Sequence, residues 1–275
     1  MLSSPSLTLS PADPEQFDLD TPEGVVSVLR SGTGLPALYL HSAGGAQAWN
    51  PLHQAIATHR TLFAPDHPGF GRSSDFTDIT SVDDIVEHYL QVIDLLDLGA
   101  VDLIGSSFGG WIAAELAARA PERVRSLTLL CPAGLDVPEA PVTNLFALSP
   151  VETVKHLFHS SDTVDLVLST PPDQETAAAT SRDMSSLARF AAEPVLCDPA
   201  LRSRLPLITA PTLVVAAGED RIIPRRHTEI YAAEIPNAHL VVVEGVGHVL
   251  DGEKPGPVID ACETFILDPQ RSPHT

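Results

Sequence analysis

Apolar positions along this chain follow two alternating rhythms. Short runs rich in Val, Leu and Ile end in small or polar residues: "GVVSVLR" (24–30), "PALYLHS" (36–42), "TLFAPD" (61–66), "VDLIG" (101–105), "VRSLTLL" (124–130), "PTLVVAA" (211–217) and "HLVVVEG" (239–245). Continuous apolar runs of this length, bounded by turn residues, predict buried strands. Between them lie segments with helical spacing. The clearest opens with Ser81 and Asp84 in a capping-box pattern, continues through Val82, Ile85, Val86, Tyr89, Leu90 and Ile93, and is closed by Gly99. Further helices are predicted over 48–59, over 109–120 with Pro121 as the stop, around 226–234 and around 256–267. The first dozen residues read as a loose tail.

From Cys131 to Pro206 the rhythm breaks. Short helical pieces, interrupted by Pro150, Pro171, Pro172 and Pro194, replace the alternation, which resumes at 211. Strands alternating with helices predict an α/β fold, a mostly parallel sheet covered by helices on both faces. Residues 1–131 and 207–275 are read as the core, and 132–206 as a cap inserted between two strands. Two separate domains would explain the break less well, because the later strands continue the same rhythm. In open α/β sheets, sites form at the C-terminal ends of strands, so an insertion there roofs the site.

Charge removes some functions from consideration. The 275 residues carry 36 Asp and Glu against 16 Lys and Arg, a net charge of −20. That surface repels phosphate backbones and anionic lipid, so neither nucleic acid nor membrane is an expected partner. The excess acid is read as a solubility feature. Cys131, Cys197 and Cys262 show no metal or redox spacing and are read as thiols in a reducing compartment. The start, "MLSSPSLTLS", lacks the basic and apolar regions of a signal peptide. A cytoplasmic location follows as the expectation, with no cofactor, no metal and a small-molecule substrate. The oligomeric state is left open.

The chemistry is expected at "LIGSSFGG" (103–110). Gly105, Ser107 and Gly109 fit G-x-S-x-G between a strand and a helix, the context of a nucleophile elbow. The turn is so sharp that the residues two before and two after the serine must be small. Ser107 is therefore the expected nucleophile and Ser106 its neighbour. The N–H of Phe108 lies at a helix start, where backbone donors are unpaired and favour an anion. Asp220, in "AAGEDRIIP", follows a strand, and His248, in "VEGVGHVLDGEKP", follows the next. A serine needs a base and the base an orienting acid. All three are expected at strand C-terminal ends, hence on one rim of the sheet. His41, His67 and His227 are alternative bases, and Glu219 and Asp136 alternative acids.

Four blocks together resemble the α/β-hydrolase superfamily, in the serine-nucleophile branch with an inserted cap: "HSAGG" (41–45), "DHPGFGRS" (66–73), "GSSFGG" (105–110), and the pair "GEDRIIP" with "GHVLDGEKP". The resemblance runs from about residue 37 to the last helix. It implies an eight-stranded sheet and a cap after the strand at 124–130. It implies that the N–H of Ala43 joins that of Phe108 as the oxyanion hole. Ser42 stands where the family usually has Gly. His67 and Arg72 correspond to a structural turn.

The expected function is hydrolysis of a carboxylic ester of a small or medium-sized substrate through an acyl-enzyme. The main alternative is a carbon–carbon bond hydrolase acting on ring-cleavage products. Those relatives tend to carry Gly-Asn-Ser at the elbow and Trp after the catalytic His, where this chain has Ser106 and Val249. They hold a substrate carboxylate with a cap arginine, for which Arg182 and Arg189 are the candidates. Ser42 and Val249 are the other expected substrate contacts. Lactonase and thioesterase activity, and a non-catalytic receptor on the same scaffold, are further readings.

Overall fold

The computed structural model describes residues 13–270. In chain order its elements begin with strands β1 (Glu15–Thr21), β2 (Gly24–Ser31) and β3 (Pro36–Leu40), then helix α1 (Pro51–Ala57), β4 (Thr61–Pro65) and α2 (Val82–Leu95). The elbow region follows as β5 (Val101–Ser106), α3 (Phe108–Arg119) and β6 (Val124–Leu130). The next stretch holds β7 (Gly134–Leu135), α4 (Pro150–Leu157), α5 (Ser161–Ser169), α6 (Gln174–Ala191), β8 (Cys197–Asp198) and α7 (Leu201–Arg204). The chain then returns through β9 (Thr212–Ala217), α8 (Arg225–Glu234), β10 (Ala238–Val243), α9 (Leu250–Glu253) and α10 (Pro255–Leu267).

Among the described residues one eight-stranded sheet has the order β1-β2-β4-β3-β5-β6-β9-β10. β1 and β2 pair antiparallel, as do β2 and β4; the other neighbours are parallel. Two apolar clusters cover its faces. One gathers α2, α3 and α8 residues such as Ile85, Tyr89, Ile112 and Tyr231. The other gathers Leu52 and Ile56 of α1 with Val258, Cys262 and Phe265 of α10. This is the doubly covered α/β architecture that the alternating pattern predicts. β5 and β6 are buried almost throughout, as expected for central parallel strands.

Local chemistry sets the element ends. Ser81 accepts from the Asp84 N–H while the Asp84 carboxylate accepts from the Ser81 N–H, so the capping box at α2 is reciprocal. One predicted helix start moves inward: Asn50, capping α1 with a Pro at its first position, brings that helix to Pro51 instead of 48. The strand β1 was not anticipated. Its alternation of Phe17 and Leu19 with Gln16, Asp18 and Asp20 is the period-two signal of an edge strand, hidden by its acidic composition. The tail expectation for the first dozen residues lies outside the described residues. Of the cysteines, Cys131 and Cys262 are buried and Cys197 half-buried, all with free thiols. Among the described residues no helix is long and apolar enough to cross a membrane.

Between β6 and β9 the chain carries α4, α5 and α6. Helix α6 docks on the turn 66–73. The Gly71 N–H donates to Asp183 at 2.9 Å, Ser186 Oγ donates to the Gly69 carbonyl at 2.7 Å, and Arg182 donates to the carbonyls of Gly71 and Ser73. Gly69 has φ +83°, and a Cβ there would lie 2.7 Å from Ser186 Oγ, so glycine is required both by backbone and by space.

Candidate active site

Ser107 sits at φ 53°, ψ −112°, a strained conformation for a non-glycine residue. Its neighbours explain how the strain is held. The Ser107 N–H donates to the Leu130 carbonyl at 2.8 Å, and its own carbonyl accepts from Gly110 and Ala133. A Cβ on Gly105 would stand 2.4 Å from the Gly109 carbonyl, and one on Gly109 only 2.1 Å from the Leu40 carbonyl. Small residues at both positions are thus a packing requirement, and the end of β3 is pressed against the elbow.

Ser107, His248 and Asp220 form one hydrogen-bonded line. His248 Nε2 is 2.8 Å from Ser107 Oγ, and His248 Nδ1 is 2.7 Å from Asp220 Oδ2. A carboxylate only accepts, so Nδ1 carries the proton and Nε2 is left to receive the serine proton. The other carboxylate oxygen accepts from the Ile222 and Ile223 N–H groups at 2.8 and 2.9 Å. The His248 and Asp220 side chains are 7% and 2% exposed, so the pair is withdrawn from bulk water. The sulfur of Cys131, the Asp220 carboxylate and the His248 ring lie within 4.8 Å of one another. Burial, followed by the Asp220 charge, pushes the Cys131 thiol well above its usual range. It stays protonated, with its S–H donating to the acid.

The loop 41–45 rests on a buried histidine pair. His41 Nδ1–H donates to the Ser42 carbonyl at 2.6 Å and its Nε2 accepts from the His67 N–H at 2.9 Å. His67 Nε2–H donates to the His41 carbonyl at 2.8 Å, and Tyr89 donates to His67 Nδ1. Burial lowers the pKa of both rings, and these bonds fit neutral tautomers only in that arrangement. Beside them Asp66 accepts from the Gln47 backbone at 2.9 Å and from Arg72 N–H at 2.8 Å. Phe108 is the first residue of α3, so its N–H has no partner within the helix. Ser42 and Ala43 are half-buried on the loop held against the elbow by Gly109.

The other candidates go elsewhere. His227 donates through Nε2 to the Ala140 carbonyl, and His41 and His67 are engaged as above. Glu219 and Asp136 are exposed. Arg182 is spent on the carbonyls of the 66–73 turn and on Asp75, and Arg189 is exposed with its guanidinium 4.5 Å over the Phe190 ring. Neither arginine is brought to Ser107. Ser106 is in hydrogen-bond contact with the buried Tyr39 hydroxyl. Val249 sits beside His248, its N–H donating to the Leu157 carbonyl at 3.3 Å.

Sequence reasoning missed three participants. Cys131 read as an ordinary buried thiol, although its place directly after β6 was a signal. Tyr39 read as core. Glu253 lay inside a quoted motif with no role assigned; its carboxylate binds three backbone N–H groups.

The family described as alpha/beta hydrolase fold matches residues 34–255. A 2-hydroxymuconate semialdehyde hydrolase from Pseudomonas putida is 33% identical over 260 residues, covering 86% of this chain and 89% of that one. A 2-hydroxymuconate semialdehyde hydrolase from Pseudomonas sp. (strain CF600) is 42% identical over 113 residues, a match to 39% of this chain and 40% of the relative's own length. Among solved structures, a membrane phospholipase A described as a bacterial virulence factor superposes with a TM-score of 0.79 at 22% identity, covering 94% of this chain and 88% of that one. At that identity the likeness speaks for the fold.

Proposed function

The chain belongs to the α/β hydrolase fold family, and on that premise we propose that this hydrolase cleaves a carbon–carbon bond beside a carbonyl in a ring-cleavage product. The hydrogen-bonded line from Ser107 through His248 to Asp220 carries the hydrolytic part of the reading. The choice of bond rests on the 33% identity, over most of both chains, to a 2-hydroxymuconate semialdehyde hydrolase. An ester substrate, which the sequence alone favours, becomes the second reading.

The proposed chemistry follows from the residue types. The substrate is a linear unsaturated acid that reacts as its 2-oxo tautomer: the 2-hydroxyl proton moves to the carbon beside the far carbonyl, which becomes CH2. His248 Nε2 takes the Ser107 proton as Oγ bonds to the carbonyl carbon. The oxygen that gains the electron pair is received by the Phe108 and Ala43 N–H groups. Collapse breaks the bond to the neighbouring CH2, and that electron pair delocalises through the double bond onto the 2-oxo oxygen. The His248 proton then goes to the departing dienolate. Water, deprotonated by His248, releases the acyl group from Ser107 in the second half. Residues 132–206 act as the cap that shapes the substrate's space, with α6 fixed to the 66–73 turn.

The second reading has its own support: Ser106 is in contact with Tyr39 and Val249 replaces Trp, so two positions that mark carbon–carbon hydrolases differ here. A panel decides between them. Purified protein and its Ser107→Ala variant are assayed against 2-hydroxymuconate semialdehyde, a 6-alkyl and a 6-aryl analogue, p-nitrophenyl acetate and a lactone. The proposal expects the dienoates to have kcat/KM values above the ester by tenfold or more. A preference for the ester of that size overturns it.

A further inference from the structure

Glu253 ends the short helix α9, five residues after His248. Its carboxylate binds two stretches of chain at once. Oε2 accepts from the Gly247 N–H at 2.6 Å, immediately before the histidine. Oε1 accepts from the Ser160 N–H at 2.8 Å, and both oxygens accept from the His159 N–H at 3.0 and 3.1 Å. Ser160 is the N-cap of α5, a helix of nine residues, whose unpaired donors and dipole favour a carboxylate. On the far side of the histidine, the Val249 N–H donates to the Leu157 carbonyl. Between these ties the two backbones touch. A Cβ on Gly247 would stand 2.6 Å from the Leu157 carbonyl and 2.7 Å from the His159 nitrogen.

We infer that Glu253 is a positioning residue for the hydrolytic site, which locks the loop of His248 to the turn between α4 and α5. Three features make this more than a local tie. The bonds flank His248 on both sides, so they fix its peptide and not just the loop's outline. The turn at 157–160 belongs to the segment that follows β6, not to the sheet that carries Ser107. The 2.8 Å contact between His248 and Ser107 is lost with a shift of about 1 Å, a displacement that can cost on the order of 100-fold in rate. His248 therefore meets Ser107 only while the 157–160 turn is docked. The inference rests on the hydrolase reading but not on which bond is cut.

The test uses p-nitrophenyl acetate turnover, fluorophosphonate labelling of Ser107 and thermal melting on the full chain. Glu253→Ala and Glu253→Gln are compared with wild type. The amide keeps the side-chain shape but turns one acceptor into a donor facing N–H groups. Expected are a 10- to 100-fold loss in kcat for Glu253→Ala, a smaller loss for Glu253→Gln, a KM changed less than threefold, and a slower labelling rate. Formate, a small carboxylate that can re-occupy the site, is expected to restore part of kcat in Glu253→Ala. A purely structural tie would lower Tm and leave kcat, KM and formate response alone, and that result overturns the inference. If Glu253→Ala does not fold, amide hydrogen exchange on Glu253→Gln takes its place. The amides of His159, Ser160 and Gly247 are expected to lose protection together, and loss on one side alone overturns the coupling. Wild-type protein that neither labels nor hydrolyses counts against the hydrolase reading, whereas an active wild type with unaltered variants counts against Glu253 alone.

Discussion

Replacing His88 by Leu should flatten part of this protein's response to acid. His88 lies on α2, 3% exposed, with its ring 4.9 Å from Phe76 and 5.6 Å from Tyr89. Neither ring nitrogen has a hydrogen-bond partner. Burial lowers its pKa from 6.5 to about 4. The sign follows from linkage: for a base with a depressed folded pKa, the unfolded chain takes up the proton first. Stability is then lost as pH falls from about 6.5 toward 4. Between pH 7 and 4.5 the single site costs about 2.5 kcal/mol, taking about 6.5 for the unfolded chain and about 4 for the folded one. The variant removes both the titration and the two unpartnered nitrogens. Urea unfolding of both proteins at pH 7 and pH 4.5 gives the double difference, in which the other buried histidines cancel to first order. The advantage of His88→Leu should grow by about 2.5 kcal/mol in acid. A difference that is the same at both pH values refutes the reasoning, because His88 would then titrate alike folded and unfolded.

Two further substitutions test the packing that supports the site. Gly109→Ala places a methyl group 2.1 Å from the Leu40 carbonyl, so the elbow or the 41–45 loop must move; a loss in kcat of about 100-fold or more is expected in steady-state assays of the folded protein. Asp102 is buried between Arg60 at 2.6 Å, Arg125 at 2.9 Å and Ser126 at 2.7 Å, so Asp102→Ala leaves two cations without their partner and should cost about 3–5 kcal/mol in urea unfolding.

Which parts of this molecule can be read in one dimension follows from the physics involved. Strands buried on both faces must be continuous apolar runs, so β5, β6 and β9 were legible. The elbow was legible because its steric demand falls on the residues two before and two after the serine, Gly105 and Gly109. His248 and Asp220 were found by their place after β10 and β9, which local turn chemistry marks. The contacts that failed to appear in the sequence are long-range and carried by backbone. Nothing local says that Glu253 reaches back 94 residues to His159, or that Arg182 turns to the carbonyls of Gly71 and Ser73. An arginine on an amphipathic helix has the same sequence signature whether it faces a substrate or a peptide carbonyl. β1 was missed because acidic residues fill its outward positions. Cys131 was missed because only its place directly after β6 sets it apart from any other core cysteine.

The central claim is that Ser107, and not its neighbour Ser106, opens a carbon–carbon bond in a ring-cleavage product. The most direct measurement follows the loss of the conjugated chromophore of 2-hydroxymuconate semialdehyde, and the acid released, with wild type, Ser107→Ala and Ser106→Ala. The account predicts turnover by wild type, turnover within about tenfold of it by Ser106→Ala, and a fall of about 1000-fold or more in Ser107→Ala. Full activity in Ser107→Ala, or a wild type that leaves the dienoate intact while hydrolysing p-nitrophenyl acetate, would contradict it.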